Sequence, residues 1–478
     1  MLIKPFQMLR ISSLLILSGF SFFITEAQQT KSLPNPKNII ILIGDGMGYN
    51  HIKATEYYFA KGQQEYETFP VRLSMSHHPA ITVKNYTGND RSNPDVSGYN
   101  PVLAWKDTAY LKKDVTESAA AATALSTGFK TRNNSVGISI DNDTLVNLVE
   151  WAKALGKSAG VVTSVQFSHA TPAGFVAHNM QRSNYSQLAY SMLLDSRCDV
   201  IMGCGNPMFD DDGLPVTSRW KDPKYVGDSV FWRQIIDGSG KQTKFMVSGK
   251  VKAVKDVDGD RKPDPWFMVR DLGEFRSLQK GETPKRVLGV PDVYSTLQQA
   301  RSFQNGENKD SPPFATPFIQ TVPTLTEMAA GALNVLDNNP KGFFLMIEGG
   351  AIDWASHSNQ KGRLIEEMKS FNDAFKAVID WVKKQSTWDE TLFIVTGDHE
   401  TGFLWGEEPF YPLVDTGKDE LPIMEFHSTG HTNSLIPFYA KGAGSELYRN
   451  YADEQDSIRG PYIQNSEISQ LIHLLWVK

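Results

Sequence analysis

Cysteine is nearly absent from this sequence of 478 residues. The two that occur, Cys198 and Cys204, flank the segment 199–203. If that segment is extended, their Cα atoms lie roughly 20 Å apart, which is far beyond the reach of a disulfide. The sequence therefore excludes a disulfide framework, and we expect both thiols to be free.

An excess of positive charge is also missing. The chain has 48 lysines and arginines against 54 aspartates and glutamates, which gives a formal net charge of −6. Nucleic-acid-binding surfaces are strongly basic, so this balance argues against a nucleic acid as the partner. With 40% hydrophobic and 21% charged residues, the composition is that of a large globular protein.

Long apolar runs are missing as well, apart from a short one near the N-terminus. The run from Ile11 to Ile24 follows Lys4 and Arg10 and precedes a candidate cleavage site at 25–27. This order is typical of a secretory signal peptide. We therefore expect residues 1–27 to be a signal peptide and the mature protein to be exported, periplasmic or extracellular, with no stable membrane span. An uncleaved anchor is the alternative, although the run is short for a bilayer.

What the chain does contain is three apolar strands that each lead into a carboxylate. Each run is mostly apolar, which predicts a strand buried on both faces; the runs are 38–43, 343–347 and 391–395. In open α/β sheets, ligands bind outside the carboxyl ends of parallel strands. If these strands are parallel neighbours, Asp45, Glu348 and Asp398 converge on one site.

Histidines and a further aspartate stand close to these strand ends. Asp353 and His357 are four positions apart, so a helix would place them on one face. His399 directly follows Asp398, and His431 comes later. Oxygen and nitrogen donors without a thiolate suit Zn²⁺ or Mg²⁺ in an open catalytic site. For the segment 342–357 taken alone, a loop-capping glutamate and an ordinary surface histidine are the alternative.

A helix of small residues follows a polar segment at 84–114, which we interpret as an irregular insertion or lid. The run from Val115 to Ala124 places Ser118 in the first turn. A helix N-terminus has unpaired amides and a positive dipole end, which favour an anionic ligand or an ionised serine oxygen. Ser118 is therefore a candidate nucleophile. The alternative is that Thr116 or Ser118 is an ordinary N-cap.

Six separated stretches resemble the motifs of the alkaline phosphatase family, in family order between about residues 38 and 440. They are NIIILIGDGMG, VTESAAAATALSTG, SHATPAGFVAH, GFFLMIEGGAIDWASH, TGDHETG and GHTN. The resemblance implies a three-layer α/β/α sandwich with a mostly parallel central sheet. It also implies a catalytic domain at 28–194 and 318–478, an inserted crown-type subdomain at 195–317, and a homodimer.

The resemblance further implies which residues hold metals and phosphate. It assigns one zinc to Asp353, His357 and His431, a second zinc to Asp45, Asp398 and His399, and a magnesium to Asp45, Thr171 and Glu348. Ser118 would be the nucleophile, and the planar guanidinium of Arg182 would hold two phosphate oxygens.

Three positions depart from the best-known family pattern. Glu117 stands where aspartate commonly orients the arginine. His169 and Trp354 stand near the magnesium position. Other members carry Asp or His at the first of these two positions and Lys, His or Trp at the second. Since an imidazole ligates metals directly, the third site is expected to accept Zn²⁺ and to bind Mg²⁺ less well.

A second acidic pattern lies within the predicted insertion. Asp256, Asp258, Asp260 and Asp264 occupy positions one, three, five and nine of a loop. This spacing suits Ca²⁺, but Arg261 replaces the glycine that a helical calcium loop has at position six. The loop is therefore either a calcium site or a solvated acidic turn.

The expected activity is hydrolysis of phosphate monoesters to an alcohol and inorganic phosphate at alkaline pH, through a phosphoserine and with two zinc ions and one magnesium ion. A phosphodiesterase of the same superfamily would not need Thr171, Glu348 and Arg182. A sulfatase would need a C/S-x-P-x-R context, which is not found around Ser118. A non-enzymatic zinc- or calcium-binding surface protein is the alternative from a different class.

Overall fold

Strands and helices alternate along much of the chain. The computed structural model describes residues 33–80, 98–218, 220–238, 240–304 and 306–477. The predicted signal peptide at 1–27 and the part of the predicted lid at 84–97 lie outside these residues.

The described residues contain seventeen strands and twelve α-helices. The strands are β1 Asn38–Gly44, β2 Val71–Ser76, β3 Ser158–Gln166, β4 Val200–Cys204, β5 Lys244–Val247, β6 Lys250–Ala253, β7 Phe267–Val269, β8 Val287–Gly289, β9 Phe343–Gly349, β10 Thr391–Gly397, β11 Glu400–Thr401, β12 Leu404–Trp405, β13 Glu425–Phe426, β14 His431–Thr432, β15 Ile436–Gly442, β16 Glu454–Asp456 and β17 Gly460–Gln464. The helices are α1 Tyr49–Phe59, α2 Thr108–Leu111, α3 Ser118–Thr127, α4 Leu148–Ala154, α5 Ala170–Val176, α6 Tyr185–Tyr190, α7 Ser229–Asp237, α8 Leu272–Ser277, α9 Leu325–Leu336, α10 Ala351–His357, α11 Lys361–Gln385 and α12 Asn465–Trp476.

One large sheet organises these elements. In the part of the chain that the structure describes, it has eleven strands in the order β16-β17-β2-β15-β10-β1-β9-β3-β4-β8-β7. From β10 to β7 every neighbouring pair is parallel. Strand β15 runs antiparallel to both of its neighbours, β10 and β2. The central sheet is therefore mostly parallel, which confirms the predicted fold class.

Helices cover both faces of this sheet. Successive side chains of a strand point to opposite faces, and in β1 they enter two different cores. Ile39, Ile41 and Ile43 pack in a core that also contains residues of α3, α5 and α12. Ile40 and Leu42 pack in the other core, with residues of α1, α9 and α11. The sheet therefore forms the middle layer of an α/β/α sandwich.

The three predicted strand ends lie side by side in the centre of the sheet. Strand β1 has β9 and β10 as its parallel neighbours, and Ile43 is in register with Glu348 of β9 and Thr396 of β10. Asp45 and Asp398 directly follow the last residues of β1 and β10. All three carboxylates therefore emerge at the same edge, as the sequence predicts.

The segment 195–317 belongs in part to this sheet. Strands β4, β8 and β7 come from the segment and extend the sheet beyond β3. They are only three to five residues long, and long loops and the β5–β6 hairpin separate them, which hides their periodicity in the sequence. The segment therefore contributes strands to the central sheet, and its assignment as a crown-type insertion stays a prediction.

Smaller predictions can also be compared with the structure. Cys198 and Cys204 are free and buried, as expected. Thr324 caps α9 and exchanges hydrogen bonds with Glu327 in a capping box. Among the described residues, no helix combines the length and the apolar character that crossing a membrane requires.

Candidate active site

Ser118 is the first residue of α3 and lines a cavity of about 360 Å³. The N-cap of this helix is Glu117, whose carboxylate accepts hydrogen bonds from the backbone N–H groups of Ala119 and Ala120. The alternative in which Thr116 or Ser118 caps the helix is therefore wrong. Because the Thr116 side chain is fully buried, Ser118 supplies the hydroxyl that reaches the cavity.

Glu117 also holds the arginine of the cavity wall. Its Oε2 accepts a hydrogen bond from Nη1 of Arg182 at 2.5 Å, and its Oε1 accepts one from the backbone N–H of Asn134 at 2.8 Å. Burial raises the pKa of Glu117, but the charge of Arg182 and the backbone hydrogen bonds outweigh burial and lower the pKa below its usual value. Glutamate in place of the usual aspartate thus keeps a direct contact with the arginine.

Asp45, Asp398 and His399 form one group of metal-ligand atoms, all within 4.8 Å of one another. The His399 Nε2 lies 3.4 Å from Asp45 Oδ1, 3.2 Å from Asp398 Oδ2 and 3.4 Å from the Ser118 Oγ. Among the described residues, no group donates a hydrogen bond to either carboxylate oxygen of Asp45 or to Oδ2 of Asp398. Buried carboxylate oxygens without donors are costly unless a cation compensates them. This donor set therefore fits a divalent metal ion.

Asp353, His357 and His431 form a second group beside the first. His357 Nε2 lies 3.3 Å from Asp353 Oδ2 and 3.1 Å from His431 Nε2, and His431 Nε2 lies 3.5 Å from Asp353 Oδ1. The ring of His431 stacks on the ring of His399 with centroids 3.7 Å apart. The two predicted zinc ligand sets are therefore neighbours.

The three histidines point their Nε2 atoms inward because other groups bind their Nδ1 atoms. The partners are the carbonyl oxygen of Thr429 for His357, the hydroxyl of Thr401 for His399 and the carbonyl oxygen of Thr116 for His431. Such outer hydrogen bonds fix the orientation of metal-ligating imidazoles and leave the second nitrogen for the ion.

The residues predicted from the sequence omit two threonines of the site. The Thr401 hydroxyl donates a hydrogen bond to Asp353 Oδ1 at 2.6 Å, and the Thr163 hydroxyl donates one to Glu348. Each threonine orients a carboxylate that lies far away in the chain. Thr401 belongs to the motif TGDHETG and follows His399 by two residues, so the motif could have suggested it. No motif or spacing in the sequence indicates Thr163.

Glu348 and Thr171 lie together at the end of β9 and the start of α5. Burial raises the pKa of Glu348 to about 7, and the hydroxyls of Thr163 and Thr171 partly offset this effect. Burial also raises the pKa of Asp45 well above its usual range, with further contributions from Asp398, Asp353 and Glu348. The site is thus crowded with carboxylates whose charges a cation would neutralise.

His169 and Trp354 line the cavity of Ser118. The His169 ring stacks on Tyr185 with centroids 5.8 Å apart and meets the edge of Trp354 at 5.6 Å. Burial, together with the nearby charge of Arg182, lowers the pKa of His169 to about 3. Its imidazole is therefore neutral and retains a lone pair for ligation.

The acidic loop lies apart from this site. Asp256, Asp258 and Asp260 bring one oxygen each within 4.8 Å of one another. Asp264 is not one of this group; its carboxylate accepts a hydrogen bond from the backbone N–H of Val257. Asp258 pairs with Lys285. Calcium binding by this loop stays a prediction.

Known proteins share the sequence pattern over most of the chain. The profile of the family described as alkaline phosphatase matches residues 36–468. Alkaline phosphatase 4 of Bacillus subtilis (strain 168) is 29% identical over 525 aligned positions, which cover 94% of this chain and 95% of that protein. The alkaline phosphatase of Escherichia coli (strain K12) is 30% identical over 391 positions, which cover 76% of this chain and 70% of that protein.

Solved structures share the fold. The alkaline phosphatase of the Antarctic bacterium TAB5 has a TM-score of 0.58 and 23% identity, over 93% of this chain and 98% of that one. At this identity the likeness concerns the fold alone. A variant of that TAB5 protein, with aspartate in place of a histidine, has been solved with magnesium bound in its M3 site.

Proposed function

Since this chain belongs to the alkaline phosphatase family, we propose that it hydrolyses phosphate monoesters through a phosphoserine formed on Ser118. The observation that carries the proposal is the position of the Ser118 Oγ, 3.4 Å from the Nε2 of His399 in the Asp45, Asp398 and His399 group. The reaction exchanges one phosphate ester for another and then releases inorganic phosphate to water.

Ser118 performs the first step at the N-terminus of α3. Its oxygen attacks phosphorus, the bond to the leaving oxygen breaks, and the alcohol departs with a proton. The positive end of the helix dipole favours the negative charge that develops on the serine oxygen. In the second step, water attacks the phosphoserine and restores the hydroxyl.

Arg182 binds the phosphate group while both steps occur. Its guanidinium lines the cavity with Ser118 and is held by Glu117. A planar fork of N–H donors matches two nonbridging phosphate oxygens, which a lysine ammonium cannot do. In the part of the chain that the structure describes, Glu117 is the one side chain that accepts from the guanidinium, so the remaining N–H groups are available to the substrate.

The family implies metal ions, and three sets of residues would hold them: Asp353, His357 and His431 for one zinc, Asp45, Asp398 and His399 for the second zinc, and Asp45, Thr171 and Glu348 for magnesium. A bound zinc pair would stabilise negative charge on the attacking and leaving oxygens. We place the leaving group beside Asp353, His357 and His431. The magnesium of the TAB5 variant supports a third site here, with His169 at its edge.

Trapping the phosphoenzyme tests this proposal. Chelated protein is reloaded with Zn²⁺ and Mg²⁺, mixed with a ³²P-labelled monoester at alkaline pH and quenched in acid. We expect label on the Ser118 peptide, and neither label nor turnover in Ser118→Ala. Thr116→Ala, which removes a buried hydroxyl two residues away, serves as the matched control and should keep its label. Label on a different residue would contradict the mechanism.

Export and dimer formation complete the proposal. The pattern of residues 1–27 supports cleavage of a signal peptide, and mass spectrometry of the protein secreted by a host with an export pathway tests it. The family resemblance supports a homodimer, and light scattering coupled to size-exclusion chromatography would give its mass.

A further inference from the structure

The cavity beside Ser118 is lined by two polar residues that the proposed reaction does not use, Gln299 and Ser358. Its volume of about 360 Å³ corresponds to roughly a dozen water molecules. A phosphate group has only five heavy atoms, so much of this space is left for the organic part of the substrate.

Gln299 reaches the cavity from the chain segment between β8 and α9. Its side chain is only 7% exposed, and its Nε2 donates a hydrogen bond to Oε1 of Gln360 at 2.8 Å. The backbone N–H of Gln360 in turn donates to the carbonyl oxygen of Ala355 in α10, the helix that carries Asp353 and His357. Gln299 therefore stands on the side of the cavity where the proposed reaction places the leaving group.

Buried charged residues hold the backbone on which Gln299 sits. The guanidinium groups of Arg301 and Arg363 both donate to the carbonyl oxygen of Gln298. Arg301 also pairs with Glu366 at 2.8 Å, and both side chains are almost fully buried. A side chain on such a supported segment presents its polar group in a defined position, which is what selective binding requires.

We propose that Gln299 selects substrates whose leaving group carries hydroxyl groups, such as polyol and sugar phosphates. After its bond to Gln360, the amide still has one N–H and a carbonyl oxygen, and a hydroxyl both donates and accepts. An apolar leaving group would leave these buried polar atoms unpaired, which weakens its binding. The inference rests on the proposed function and adds the substrate class to it.

Two substrates and two amide substitutions test the inference. Glycerol 1-phosphate has a leaving group with hydroxyls, and phenyl phosphate has one without polar groups. In metal-loaded Gln299→Met we expect kcat/KM for glycerol 1-phosphate to fall about five- to tenfold, which corresponds to the loss of one neutral hydrogen bond. The kcat/KM for phenyl phosphate should change less than about twofold. Gln360→Met should shift the ratio of the two constants in the same direction by about two- to threefold.

The neighbouring Gln298 supplies a matched control. Its side chain bonds to the backbone of Ile319 and lines a different groove, so Gln298→Met should lower the melting temperature without changing the substrate ratio. Equal losses for both esters in Gln299→Met, or the same ratio shift in Gln298→Met, would overturn this inference and leave the proposed function standing. A wild-type protein that hydrolyses neither ester would overturn it together with the proposed function.

Discussion

At the scale of single residues, we expect Arg182 to be the group that distinguishes a monoester from a diester. A monoester dianion offers a pair of nonbridging oxygens to the guanidinium, whereas a diester has one fewer and a second ester group to accommodate. We expect Arg182→Ala to lower kcat/KM for 4-nitrophenyl phosphate by about 10²–10³, mostly through KM, and to leave the slow reaction of bis-4-nitrophenyl phosphate nearly unchanged.

Arg182→Lys is the control, because it keeps the positive charge and loses the planar pair of N–H donors. It should recover less than a tenth of the monoester activity. Equal losses for the monoester and the diester would mean that Arg182 supports the fold or helix α3 instead of binding phosphate.

His169 is the second residue whose chemistry can be tested alone. A neutral imidazole at the N-cap of α5, two residues before Thr171, favours zinc, whereas a carboxylate suits the harder Mg²⁺. We expect His169→Asp to bind Mg²⁺ more tightly, measured by titration calorimetry on protein already loaded with two equivalents of zinc. His178→Asp replaces a histidine that contacts Gly137 and Glu150 instead of the site. Mg²⁺ affinity that rises equally in both variants would contradict the role of His169.

At the scale of secondary-structure elements, the contact between α3 and α5 sets the position of Ser118. A Cβ atom at Gly174 of α5 would lie only 2.6 Å from the Cβ of Ala122 in α3, so Gly174→Ala must push the helices apart. Overpacking of this kind costs about 1–3 kcal/mol, and a shift of the nucleophile lowers the rate steeply. We expect a lower melting temperature and a loss of about tenfold in kcat.

Gly273 of α8 provides the comparison for this substitution. It is exposed, and a Cβ there would meet only the Asp271 side chain, at 3.2 Å. Gly273→Ala should leave the free energy of unfolding within about 0.5 kcal/mol of wild type and kcat within about twofold. A Gly174→Ala protein with unchanged kcat would show that the contact does not control the nucleophile.

At the scale of the whole molecule, the converging carboxylates make stability depend on bound cations. Burial raises the pKa of Asp398 and of Glu348 to about 7, above the value of about 4 in an unfolded chain. The folded metal-free protein therefore holds protons that the unfolded chain has already released, and its stability falls as pH rises from about 4 through 7. Bound cations would take the place of these protons.

We expect the melting temperature of EDTA-treated protein to fall as the pH rises from about 5 to about 7, while that of metal-loaded protein changes little. Differential scanning calorimetry at several pH values measures both. Asp398→Asn, which removes one titrating group at nearly constant size, should flatten the curve of the metal-free protein. Parallel curves for metal-free and metal-loaded protein would contradict the explanation.

The central strands and the family motifs could be predicted from sequence because their signals are local. The apolar runs before Asp45, Glu348 and Asp398 indicate buried strands whatever the rest of the chain does. Strands β4, β8 and β7, which extend the sheet beyond β3, escaped prediction because each is short and acquires its place only by pairing with a neighbour. The cap at Glu117 also escaped, since serine and threonine are more usual caps than glutamate.

The sequence by itself determined the layered fold, the family and the kinds of atom available for catalysis, because periodicity and motif spacing are properties of the chain alone. Only the tertiary structure decided which of these atoms meet. Thr163 reaches Glu348, Thr401 reaches Asp353, and Gln299 enters the cavity of Ser118. The physical reason is that such contacts join residues far apart in the chain, and only the packing of the sheet and its helices sets the distance between them.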